Sequence, residues 1–99
     1  MCGIVGISSN KDCIQNIISG LKALEYRGYD SSGIAIADNN ILSFQKSVGK
    51  ISELENKLYL YKPKGSIAIG HTRWATHGRP SDVNCHPFVK NNCALVHNG

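Results

Sequence analysis

The chain has 99 residues, enough for one small domain, and its 41% hydrophobic and 18% charged residues are a globular rather than a disordered composition. Its net charge of +4 comes from basic residues scattered along the chain, which reads as solvated surface rather than a nucleic-acid patch. No apolar run approaches the roughly 18 residues that cross a bilayer, and no basic segment precedes the first apolar stretch, which argues against a secretory signal and for a cytoplasmic chain without a membrane partner.

Ile4 to Ile7 forms a short apolar run between glycines and serines, predicting a buried strand at the terminus. Asp12 then reads as the N-cap of a helix whose apolar stripe is Ile14, Ile17, Ile18, Leu21 and Leu24. The polar segment from Arg27 to Gly33 reads as a turn. Ile34–Ala37 and Ile41–Phe44 flank Asp38, Asn39 and Asn40, a β-hairpin signal built on residues that tolerate positive φ.

Ile51, Leu54 and Leu58 mark a second, shorter helix after Gly49, and Pro63 and Gly65 lead into a buried strand over Ser66–Gly70. The stretch from Arg73 to Asn92 has no clear periodicity and reads as one long functional loop. Cys93 to Val96 predicts a last strand running into His97, Asn98 and Gly99. Several strands against two helices, with the sequence stopping one step past an apolar strand, predict an incomplete layered α+β domain over residues 1–99.

The four cysteines, Cys2, Cys13, Cys85 and Cys93, include no C-x-x-C pair and read as free thiols of a reducing compartment. His71, His77, His86 and His97 raise a structural zinc reading together with Cys85 and Cys93, but the spacing fits no standard finger or ribbon. No metal site is expected. Cys2 carries the most chemistry: once Met1 is removed, the thiol and a free α-amine share one residue. An amine with a pKa near 7.7–8.0 is well matched to take the thiol's proton. Taken alone, a second-position cysteine is more simply part of a buried strand.

It is accompanied by other motifs. The opening Met-Cys-Gly-Ile-Val-Gly-Ile, the run from Leu24 to Ala35 containing Tyr-Arg-Gly-Tyr-Asp, the run Gly70–Gly78 containing His-Thr-Arg-Trp-Ala-Thr-His-Gly, and Val96–Gly99 occur in this order. Together they make the chain resemble the class II glutamine amidotransferases. Tyr29 and Trp74 resemble the branch that aminates fructose 6-phosphate. The amidophosphoribosyltransferase branch typically has His-Arg-Gly-Gln-Asp and Arg-Tyr-Ser-Thr, and asparagine synthetases Arg-Gly-Pro-Asp. Cys85 departs from that first branch, which usually carries alanine there.

The resemblance implies the first part of a four-layer αββα sandwich of the N-terminal-nucleophile hydrolase type. It implies that Cys2 attacks the amide carbon of L-glutamine, giving a tetrahedral oxyanion, then a glutamyl thioester and ammonia. Asn98 would donate a side-chain N–H to the oxyanion and Gly99 a backbone N–H, although the same dipeptide is also a common type I′ turn. Arg73 would clamp the substrate α-carboxylate with its planar fork. Trp74, Thr76 and His77 would line or close the glutamine pocket. Arg27 and Asp30 would shape the floor near Cys2, and His86 and His97, with His71, would brace loops.

No metal or organic cofactor is implied. The implied partners are L-glutamine and, through sugar isomerase domains absent from this sequence, fructose 6-phosphate in a homodimeric parent. In the family an acidic residue beyond the Asn-Gly motif holds the glutamine ammonium, so the 99-residue chain alone is expected to be inactive. The competing readings are an amidophosphoribosyltransferase-type glutaminase domain and a small basic zinc- or nucleic-acid-binding module.

Overall fold

The computed structural model describes residues 2–27, 30–74 and 85–98, except the side chain of Arg27. The elements are β1 (Gly3–Ser8), α1 (Ile14–Ala23), a 3-10 turn (Glu25–Arg27), β2 (Ser31–Asp38), β3 (Ile41–Val48), α2 (Ile51–Tyr61), β4 (Ile67–Arg73), β5 (Phe88–Lys90) and β6 (Cys93–Leu95). The first four strands form one antiparallel sheet in the order β1-β4-β2-β3, and β5 pairs with β6 separately.

Side chains alternate across a strand, so the register assigns faces. Ile34 and Ile36 of β2 and Ala68 of β4 point to the helices, where Ile14, Ile17, Ile18 and Leu21 of α1 and Ile51, Leu54 and Leu58 of α2 complete the core. Burying each large aliphatic side chain contributes about 1.5–3 kcal/mol, which is what holds two short helices to the sheet. The α1 stripe therefore packs as its spacing predicted from Ile14 to Leu21, whereas Leu24, also assigned to it, is the half-buried C-cap after the helix.

The opposite face receives the β5–β6 hairpin. Gly33 of β2 lies directly beneath it: a Cβ there would sit 2.1 Å from the His86 carbonyl oxygen and 3.0 Å from Pro87 Cδ. Ala94 of β6 lines a small cavity with Ala35, Ala37, Ile67 and Ile69 on that face. Helices, a sheet and the beginning of a second sheet give the α+β class and the start of the sandwich that the motifs implied.

The β2–β3 turn is made as expected, with Asn39 and Asn40 at φ 50° and 64°. Five expectations need correction. β1 is an edge strand with Ile4 exposed rather than a buried strand, and β2 begins at Ser31, inside the segment read as a turn. Asp12 does not cap α1; its Oδ1 accepts from the Gly65 N–H at 2.8 Å, tying the α1 entry to the β4 entry, while Cys13 occupies the N-cap without a side-chain hydrogen bond. β4 runs on to Arg73, past the predicted end at Gly70. The stretch read as a loop up to Asn92 contains β5, turned into β6 by Asn91 and Asn92 at φ 51° and 62°.

Candidate active site

β1 and β4 pair with Gly3 opposite Thr72, so the next step brings Cys2 to the Arg73–Trp74 end of β4. There the Trp74 backbone N–H donates to Cys2 Sγ at 3.5 Å, and Sγ lies 3.8 Å from the Trp74 carbonyl oxygen. The thiol is thus fixed by main chain. The Trp74 indole is not a core aromatic, since the residue is half exposed at the rim.

Asn98 comes to the same place from the segment after β6. Its Nδ2 donates to the Cys2 carbonyl oxygen at 3.3 Å, joining two residues that stand at opposite ends of the sequence. A side-chain amide donor and a thiol are the two groups an acyl-transfer site needs closest together.

Arg73 follows Thr72 on β4 and shares the face of His71, away from the helices. It is buried, not the surface charge its residue type alone would suggest. Asp30 meets it twice: its backbone N–H donates to the Arg73 carbonyl at 2.7 Å, and its Oδ1 lies 3.8 Å from Arg73 Nη1. The carboxylate is itself oriented by Ser31 Oγ at 2.9 Å, and the Asp30 carbonyl accepts from the Gly49 N–H at 2.8 Å. Asp30 therefore holds the Arg73 main chain and sets a carboxylate beside its guanidinium.

Three histidines pack behind Asn98. The His71 and His86 rings stack at 4.1 Å with 23° between planes, and His86 meets Phe88 at 4.4 Å. His71 Nε2 lies 3.0 Å from the His97 carbonyl, and the His97 N–H donates to His86 Nδ1 at 3.3 Å. Burial lowers the His71 pKa to about 4, with His86 and Arg73 adding to the effect against the His97 carbonyl and the Asn98 side chain. His86 is also lowered, by burial and then by the positive fields of Arg73, His97 and Lys46. Both rings are neutral near pH 7, and the positive field they sense suits an incoming carboxylate.

The structure thus brings together Cys2, Asn98, Arg73, Trp74, Asp30, His86 and His97. Thr76, His77, Gly99 and the Arg27 side chain lie outside the described residues. His71, given no role beyond bracing, sits at the centre; its place two residues before Arg73 on one strand face was the available signal. All four cysteines are free, with Cys13 and Cys85 buried and Cys93 exposed. Among the described residues, no three His, Cys, Asp or Glu side chains group to hold a metal ion, and no helix is long and apolar enough to cross a membrane.

No protein-family model matches the chain. It is 51% identical over its whole length to a glutamine–fructose-6-phosphate aminotransferase (isomerizing) of Campylobacter jejuni and 50% identical to one of Clostridium acetobutylicum, spanning 17% of each. It is 54% identical to one of Bartonella quintana, spanning 16% of it. Among solved structures, the glutamine phosphoribosylpyrophosphate amidotransferase of B. subtilis, complexed with ADP and GMP, superposes with a TM-score of 0.76 at 32% identity, covering 95% of this chain and 20% of that one. A second structure, described as the allosteric regulatory enzyme of purine biosynthesis, gives 0.76 at 34% identity over 89% of this chain and 19% of that one. About half its residues are thus identical, from end to end, to a short part of these aminotransferases, and its fold is shared with the amidotransferase structures.

Proposed function

We propose that this chain is glutamine-hydrolysing machinery that releases ammonia from L-glutamine for transfer to fructose 6-phosphate, giving glucosamine 6-phosphate. The observation that carries the reading is the thiol of Cys2 held on the Trp74 main chain with the Asn98 amide 3.3 Å from the Cys2 carbonyl. With Met1 removed, the Cys2 amine takes the thiol proton and sulfur attacks the glutamine amide carbon. The oxyanion draws on the Asn98 side chain and the Gly99 N–H. Collapse breaks the C–N bond, the nitrogen leaves protonated as ammonia, and water hydrolyses the thioester to glutamate.

Arg73 binds the α-carboxylate, while Trp74, Thr76 and His77 line or cover the substrate. Arg27, Asp30, His86 and His97 support them. Residues 1–99 then form part of a glutaminase domain, with sugar isomerase domains elsewhere in a cytoplasmic, homodimeric protein. No metal or organic cofactor is needed for the glutaminase half-reaction as drawn.

The test is a coupled glutamate-release assay on a full-length protein bearing this segment, compared with its Cys2→Ser variant. Loss of release in the variant supports the reading, and undiminished release overturns it. The amidophosphoribosyltransferase alternative is favoured by the superpositions at 32% and 34% identity, but the aminotransferase relatives reach 50% and above. Supplying fructose 6-phosphate or phosphoribosyl pyrophosphate as acceptor separates the two.

A further inference from the structure

His71 and His86 meet one residue from opposite sides. His97 has a backbone N–H and a backbone C=O, and each is held by a different imidazole: the N–H by His86 Nδ1 at 3.3 Å, the C=O by His71 Nε2 at 3.0 Å. The two rings stack on each other at 4.1 Å, so neither contact can shift without disturbing the other. His71 is fully buried on β4, the strand whose end also fixes the Cys2 thiol. His86 sits on the backbone that Gly33 admits to the sheet surface. The His97 carbonyl belongs to the peptide that enters Asn98.

We propose that His71 and His86 are positioning residues that clamp the His97 backbone and thereby hold the Asn98 amide beside Cys2. His86 acts through the His97 main chain, and His71 through that main chain and the Asn98 side chain it also meets. The catalytic half of the inference rests on the glutaminase reading above, whereas the clamp itself does not.

The contacts fix the tautomers. To donate to the His97 carbonyl, His71 must carry its proton on Nε2, which leaves Nδ1 as a bare acceptor; Nδ1 is buried with no hydrogen-bond partner. To accept from the His97 N–H, His86 must be unprotonated at Nδ1. Protonating the pair would place two cations at stacking distance and remove the Nδ1 acceptor. Arg73 faces both rings, and His97 and Lys46 also face His86, all disfavouring the charged forms. The neutral pair is the working state.

Two variants of His71 separate positioning from packing. Glutamine can place an N–H near the Nε2 position and leucine cannot, while both fill space. On a 15N-labelled full-length protein bearing the segment, NMR should show His71 as the neutral Nε2–H tautomer at pH 7. It should also show His97 and Asn98 ordered in the parent and in His71→Gln but loosened in His71→Leu. In a full-length protein bearing the segment, His71→Leu should lower kcat for glutamate release about 10- to 100-fold with little change in KM, short of the roughly 10²–10³-fold expected for losing the donor itself. His71→Gln should stay within about threefold of the parent, the scale of one modest hydrogen bond.

Equal order of residues 97 and 98 in both variants, or the Nδ1–H tautomer, would overturn the clamp. A clamp confirmed by NMR in a full-length protein that releases no glutamate would leave the clamp standing and sink the glutaminase reading. Equal kcat losses in the two variants would show that His71 only fills space.

Discussion

The Asp30 carboxylate lies 3.8 Å from the Arg73 guanidinium while the Asp30 N–H donates to the Arg73 carbonyl at 2.7 Å. One residue thus fixes both ends of the arginine, its main chain and its charged head. A buried guanidinium with a fixed counter-ion is aimed before any substrate arrives, which reduces the ordering cost of binding. Arg73→Lys should therefore raise KM for glutamine about 10- to 100-fold, since it replaces a charged fork worth roughly 1.5–3 kcal/mol with a point charge. Asp30→Asn should raise KM less, because the backbone contact survives. Steady-state kinetics in a full-length protein decide it; a fall in kcat alone for Arg73→Lys would contradict the assignment.

Asn98 should behave oppositely. Its amide faces the nucleophile's own residue, and an oxyanion exists only on the way to the tetrahedral species. Asn98→Ala should lower kcat by about 10²–10³-fold and leave KM nearly unchanged. A KM effect alone would remove Asn98 from the oxyanion site.

Acid should weaken the fold through His71. Its pKa is about 4 in the folded chain against an ordinary 6.5, so between these values the unfolded chain holds more protons. The His71 contribution is complete above pH 6.5, falls as pH drops towards 4, and changes no further below that. The size is roughly 3–3.5 kcal/mol, and the lowered pKa of His86 adds loss of the same sign. Urea midpoints between pH 7 and 4 should fall less steeply in His71→Gln than in the parent; parallel curves would show that His71 does not titrate in this way.

Gly33 tests the contact between the layers. A methyl group placed 2.1 Å from the His86 carbonyl must lift the segment carrying His86 and Pro87. Gly33→Ala should destabilise by about 1–3 kcal/mol, the usual cost of overpacking, and should separate the His71 and His86 rings. An unchanged thermal midpoint would mean that this segment does not rest on β2 as described.

The legible parts of the fold were those whose evidence is local. The α1 stripe and the Asn39–Asn40 turn announce themselves because long apolar elements flank them. Asn91–Asn92 is the same turn signal, yet β5 has only three residues and gives no alternation to read, whereas β6 was legible from its apolar run at Cys93–Val96. Asp12 resembles a cap by position, but its carboxylate finds Gly65, a partner 53 residues away that no local pattern specifies. In the site, Cys2, Arg73 and Asn98 were named from motifs, while their meeting depends on the antiparallel β1–β4 register. The histidine clamp was illegible for the same reason: His71 and His86 stack only once the hairpin lies over Gly33.

The central claim is that Cys2 is the nucleophile for glutamine, and mapping a covalent adduct tests it most directly. Two of the other thiols, Cys13 and Cys85, are buried, and burial further raises the Cys13 pKa, so exposed Cys93 is the real competitor for a nonspecific reagent. A full-length protein bearing this segment would be treated with a glutamine-shaped diazoketone, digested and sequenced by mass spectrometry, with and without excess glutamine. The account predicts one adduct, on a Cys2 from which Met1 has been removed, suppressed by glutamine and weakened by Arg73→Lys. Label falling on Cys93, with Cys2 unmodified and glutamine giving no protection, would contradict it.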